Sequence, residues 1–178
     1  MSPQSLAMQY RLQFEQWVPF PLGRVFAFFA DPHNLPRIMP PASGIKIVSL
    51  ELKSPPPDLS RPVAVTETLA GPGSRIVTSF RLSTILPFRK QWVSRITEFE
   101  WDHHFADMQE KGPFQSWNHR HQFAAVVRNG VTGAIVRDLI EYEIGVGPLS
   151  PLAQNLFVAS QIQQVFAHRQ NILESLLR

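Results

Sequence analysis

The chain has no cysteine, so it carries no disulfide framework, no thiolate metal site and no cysteine nucleophile. It also lacks a long apolar run. The longest, around Val25 to Ala30, falls far short of the roughly 20 residues that a membrane-spanning helix needs. Its first residues, MSPQSLAMQY, hold neither a basic patch nor an apolar core, so no secretory signal is expected and cytoplasmic residence is the default. Charge is sparse: 17% of residues are charged against 44% hydrophobic, which excludes a largely disordered chain. The net charge of +3 does not come from a basic run, because arginines such as Arg24, Arg61, Arg95 and Arg137 stand singly along the sequence. Nucleic-acid binders concentrate such charge in a stripe, and nucleic acid is not an expected partner. Gly71-x-Gly73 lacks the lysine and following helix of a phosphate loop, and no serine sits in a nucleophile elbow.

What is present reads as one domain of ordinary size, 178 residues long, with residues 1–8 a loose terminus and 9–178 the folded unit. Tyr10 to Val18 alternates apolar and polar residues, the period of a strand. Pro19 and Pro21 stop it, and Pro21 suits the opening of a helix over Leu22–Asp31, which carries Leu22, Val25, Phe26 and Phe29 at helical spacing. A second short helix is expected over Asn34–Met39. Strands follow at Gly44–Leu52, Arg75–Thr84, Gln91–Glu100, His103–Glu110, Trp117–Val127 and Val131–Ile144. Pro62–Leu69 fits either an edge strand or an extended approach, and Lys53–Ser60 reads as an irregular loop. Short connections mark hairpins, with Asn129-Gly130 the strongest turn signal. Ser150-Pro151 then opens a long helix running to about Leu177. Its expected apolar stripe is Leu152, Leu156, Ala159, Ile162, Phe166, Leu173 and Leu176, widened by Val158, Val165 and Ile172. A meander of that size must cover its apolar face, and only the last helix is long enough to do so. The expectation is an α+β fold in which a curved antiparallel sheet of about seven strands wraps a long C-terminal helix.

Alternation sorts the later strands into faces. Phe105, Asp107 and Gln109 share one; Trp117, His119, His121 and Phe123 share another; Asp138, Ile140, Tyr142 and Ile144 a third. The aromatic faces are assigned to the helix side, which puts Gln109, His119, His121, Asp138 and Tyr142 among apolar neighbours. Polar groups buried there either satisfy one another or orient a ligand.

At this point the chain resembles a known family. The string Gly112-Pro113-Phe114-x-x-Trp117-x-His119-x-His121-x-Phe123, after Phe105-x-Asp107-x-Gln109, is similar to part of the START-like (SRPBCC, polyketide cyclase/dehydrase-type) ligand-binding superfamily. Phe14-Glu15-Gln16, Pro21-x-x-x-Val25-Phe26-x-Phe28-Phe29, Asp138-x-Ile140-x-Tyr142 and Phe166-x-x-Arg169 agree with it, and the segment Lys53–Ala70 fits it least. The resemblance implies a helix-grip fold with a deep cavity for a lipid, polyketide, isoprenoid or other hydrophobic molecule. It does not select an activity, because the superfamily mixes enzymes with carriers and sensors.

The residues expected to line the ligand site are Trp92, Phe105, Gln109, Trp117, His119, His121, Phe123, Asp138, Tyr142 and Phe166. Binding of a small hydrophobic molecule without catalysis is the leading reading, with no cofactor and no resident metal. The alternative is a cyclase/dehydratase- or hydrolase-type enzyme in which His119, His121 and Asp138 move protons. A metal would need a third ligand beside His119 and His121, with Asp138 or His103 the candidates. His103-His104 reads as a solvated pair beside a turn, and Arg169 as a structural partner of a carboxylate or carbonyl. A homodimer is the one protein assembly kept in view, and no membrane insertion is expected.

Overall fold

In the computed structural model the described residues are 9–60, 67–81, 88–145 and 151–178, with side chains from 156 onward in the last segment. Residues 1–8 lie outside them, as do the undecided stretch 62–66, the end of the third expected strand at 82–84 and the expected cap Ser150. The chain forms β1 (Gln9–Val18), α1 (Leu22–Ala30), a 3-10 turn at Pro32–Asn34 and α2 (Leu35–Ile38). Next come β2 (Lys46–Glu51), β3 (Arg75–Arg81), β4 (Arg89–Glu100), β5 (His104–Lys111), β6 (Ser116–Arg128), β7 (Val131–Glu143) and the long helix α3 (Pro151–Leu176). The seven strands make one antiparallel sheet in the order β1-β7-β6-β5-β4-β3-β2. This is the expected helix-grip architecture.

Local chemistry accounts for the hairpins. Asn129 and Gly130 both have positive φ, 51° and 77°, which is the backbone that a two-residue turn needs to match the twist of its strands. Arg128 and Val131 pair directly across it, and the register then runs unbroken to Ser116 opposite Glu143. Curvature enters through bulges in the β4–β5 pairing, at Glu110 of β5 and Thr97 of β4, and in β2 between Ile47 and Ser49.

The interior divides in two. One cluster gathers Val18, Val25, Phe26, Ala30, Phe105, Phe123, Ala134, Val136, Leu173 and Leu177, all buried. Phe26 anchors it, with its ring edge-on to those of Phe99, Phe105 and Phe123. Truncating such a ring typically costs about 3–5 kcal/mol. Among the described residues the second cluster has four buried members, Ile140, Tyr142, Ile162 and Phe166, with half-buried Tyr10, Leu12, Phe14, Phe114, Trp117 and Val165 packed against them.

α3 is fastened to β1 by Phe14 stacked on Phe166 at 4.1 Å between ring centres, and by Gln16, whose side-chain amide donates to the carbonyl of Gln170 at 2.8 Å. Its buried stripe differs from the expected one. The residues facing the sheet are Ile162, Phe166, Arg169, Leu173 and Leu177, spaced four, three, four and four apart. Leu156, expected in the stripe, is 62% exposed, as is its neighbour Phe157 at 65%. The stripe passes through a charged residue, which a search for apolar positions steps over.

Candidate functional site

The two apolar clusters meet at a polar layer. Asp138 of β7 stands at its centre with no solvent exposure. Register explains the gathering: His121 is directly opposite Asp138 across β6–β7, His119 is two residues along the same face of β6, and Asp107 of β5 is opposite His119. Arg169 reaches down from α3, 4% exposed, and grips Asp138 with both terminal nitrogens: Nη1 donates to Oδ1 at 3.0 Å and Nη2 to Oδ2. Its guanidinium lies 4.4 Å from the ring centre of Phe166 and 5.2 Å from that of Phe29, so aromatic faces supply the rest of its surroundings.

The two histidines meet the carboxylate differently. His119 Nε2 lies 3.0 Å from Asp138 Oδ1 in hydrogen-bonding geometry. His121 Nδ1 is nearer, 2.8 Å from the same oxygen, but meets it at a less favourable angle. Arg169 Nε is buried and unpaired. His119 Nδ1 turns toward Asp107, 3.8 Å from Oδ1. The imidazoles lie 4.0 Å apart centre to centre. His121 leans on Phe105 at 4.4 Å, on the filled side of the interior, while His119 meets Phe166 edge-on at 5.8 Å on the aromatic side.

Electrostatics follow from this packing. Burial, reinforced by the neighbouring His119, pushes the His121 imidazole down to about 4, so it is neutral at physiological pH. Burial alone would raise the Asp138 carboxyl; the Arg169 guanidinium, helped by both imidazoles, reverses this and holds it well below the usual carboxylate range. For Asp107 burial wins and its carboxyl is raised, although His119 and a hydrogen bond from Ser94 pull the other way.

The remaining expected residues fall in three places. Trp92, Trp117 and Tyr142 belong with Phe114 to one aromatic group: Trp92 is edge-on to Trp117 at 5.1 Å, and Phe114 to Tyr142 at 5.6 Å. Phe105 and Phe123 lie in the filled cluster, below the polar layer. Gln109 faces inward but its amide is engaged with the main chain of Phe114, donating from Nε2 to the carbonyl at 2.9 Å, and so fastens the β5–β6 connection. Two residues outside the expected ligand-site set complete the layer: Asp107, and Arg169, which was read from the sequence as the partner of a carboxylate or carbonyl and does pair with Asp138. Alternation already put Asp107 on the same face as Gln109, and Arg169 follows Phe166 by three helical positions. His103, weighed as a third ligand to a metal, lies instead at the exposed β4–β5 turn beside Glu100 and His104.

Hollows open elsewhere on the described part of the chain. One of about 190 Å³ lies against His103, Gln122, Ala124, Ile135 and Arg137, and one of about 530 Å³ against Arg89, Lys90, Gln91, Lys111, Gly112 and Pro113. Neither is lined by His119, His121, Asp138 or Arg169. Among the described residues no helix is long and apolar enough to cross a membrane.

No protein-family model and no curated protein sequence matches the chain. Solved structures do. The crystal structure of Ara h 8.0201 superposes with a TM-score of 0.56 at 14% identity, covering 94% of this chain and 99% of that one. Protein Ms6760 from Mycobacterium smegmatis gives 0.55 at 17% identity, covering 94% and 90%. The likeness is one of fold alone.

Proposed function

We propose that residues 9–178 form one ligand-binding domain, a cytoplasmic carrier or sensor that takes a small, mostly apolar molecule between sheet and α3. The class of ligand is a lipid, polyketide or isoprenoid with a single polar end. One observation carries this reading: a charged layer separates a cluster rich in fully buried residues from one whose margin is made of half-buried aromatic rings. Apolar pockets with a few convergent polar groups are the usual form of small-molecule sites. Burial of the ligand's hydrocarbon against Trp92, Phe114, Trp117 and Phe166 would contribute most of the affinity, at about 25 cal/mol per Å². His119, on the aromatic side of the layer, would receive the polar end and fix its orientation.

Native mass spectrometry and solvent extraction of the purified protein test this, together with titration of an anilinonaphthalene sulfonate dye, which pairs an apolar ring system with one charged group. The expected result is one dye bound per chain, weakened roughly tenfold or more by Trp117→Ala. Absence of saturable dye binding in a protein that also yields no extractable apolar molecule would refute the reading.

A second reading, a cyclase/dehydratase- or hydrolase-type enzyme, is favoured by one feature: His119 stands between two carboxylates, those of Asp107 and Asp138. An imidazole so held can pass a proton to or from a bound carbonyl compound. Turnover of aromatic ketides that disappears in His119→Asn, while circular dichroism shows the variant still folded, would support it.

A further inference from the structure

We propose that Asp107, His119 and His121 form a binding site for one divalent first-row transition ion, held in place from behind by Asp138 and Arg169. Each of the three offers one donor atom, and the three atoms lie within 4.8 Å of one another on adjacent strands of one sheet face. Two imidazoles and a carboxylate are the donor set of three-ligand zinc sites and of non-haem iron sites, which leave a coordination position open.

The surrounding contacts favour an ion over a self-contained hydrogen-bond network. A metal-ligating histidine almost always donates its other ring N–H to a carboxylate or carbonyl, which sets the tautomer. His119 does this: Nε2 faces Asp138 Oδ1 at 3.0 Å, so the lone pair is on Nδ1, the atom turned toward Asp107. Asp138 is in turn gripped by Arg169, which neutralises it and excludes it as the third ligand. That leaves the Asp107 carboxylate facing His119 Nδ1 at 3.8 Å, too far for a hydrogen bond and wide enough for an ion to draw the two onto itself. His121 Nδ1 likewise faces the outer carboxylate, 2.8 Å from Asp138 Oδ1. The open coordination position would face the aromatic side, where Trp117 and Phe166 flank His119. The site stands whether or not an apolar molecule binds above it.

A second group of possible ligands, Glu100, His103 and His104, lies on the surface at the β4–β5 turn, and the experiment must separate the two. The full chain is stripped with a chelator, then titrated with Zn²⁺ by calorimetry and with Co²⁺ by absorbance. The expected result is one ion per chain, with binding lost in His119→Ala and Asp107→Asn and unchanged in His103→Ala. Asp138→Asn, which alters the outer partner and not a ligand, should weaken binding roughly 10–100-fold. Should the buried variants not fold, imidazole NMR of the unaltered protein decides: Zn²⁺ must shift the ring signals of His119 and His121 and leave those of His103 and His104 in place. No saturable binding of one ion, binding abolished by His103→Ala, or zinc shifts confined to the surface rings would each overturn the site.

Discussion

Replacing Arg169 by methionine isolates the contact at the centre of the protein. Asp138 is wholly buried and receives both terminal nitrogens of Arg169, with the neutral ring of His121 and that of His119 beside it. Methionine keeps an unbranched stem but not the guanidinium that lies over the Phe166 and Phe29 rings, so a lost cation–π contact of about 0.5–2 kcal/mol adds to the effect. What changes is that a buried carboxylate loses its countercharge, a change that costs about 3–5 kcal/mol. For a domain of this size each kcal/mol lowers Tm by roughly 2–4 °C, which puts the drop at roughly 6–20 °C. Urea unfolding followed by circular dichroism should show a lower midpoint with an unaltered slope. The double variant Arg169→Met, Asp138→Asn should lose less than the sum of the single losses, because it leaves neither charge unpaired. Loss of under about 1 kcal/mol in Arg169→Met, or strict additivity in the double variant, would contradict the pairing drawn from the structure.

Stability should also depend on pH through His121. Its imidazole is depressed to about 4 by burial, against 6.5 when unfolded, so on acidification the unfolded chain takes the proton first. Stability therefore falls between about pH 6.5 and 4 and then levels, by about 3 kcal/mol in all. Urea midpoints across that range should show the slope in the native protein and lose it in His121→Phe. The pairing of Asp138 acts in a separate window, because its carboxyl is held well below the usual range and that stabilisation is lost only at more acid pH. Two glycine substitutions should differ by mechanism. Gly130→Ala meets nothing within 4 Å and carries only the cost of its positive φ, about 1 kcal/mol. Gly133→Ala puts a methyl group 2.4 Å from the Val18 carbonyl and 2.7 Å from the Trp17 ring, forcing β1 from β7, and should cost about 3 kcal/mol. Thermal melts that reverse this order would show that the close approach at Gly133 is not there.

Element types were legible because period and punctuation agree. The alternation from Tyr10 to Val18 and the Asn129-Gly130 turn each predict the observed backbone within a residue or two. The inward face was legible too, since Trp117, His119, His121 and Phe123 can share a face only by alternation, and the aromatic members decide which face is buried. The position of Arg169 was harder to read. Its charge removes it from any apolar stripe, and only the opposing carboxylate, 31 residues earlier and on another element, makes its burial tolerable. Asp107 was placed on the correct strand face but not joined to His119, because a strand's own sequence does not give its register against the next strand. Gln109 illustrates the converse: its inward direction was read correctly, while its attachment to Phe114 depends on the path of a connection that alternation does not describe.

The bulge in β2 bears on how separate molecules meet. Ile47 pairs with Thr78 and Ser49 with Val77, so Val48 is an extra residue with its side chain half in water, and among the described residues β2 is the outermost strand on its side of the sheet. A straight free edge would be a template onto which another chain could add a strand. This one bends after two paired residues and is bracketed by the exposed ammonium groups of Lys46 and Lys53. A neighbour lining up its own backbone would find no continuous row of donors and acceptors, so the kink that shapes the sheet also discourages fibre-like growth from its rim.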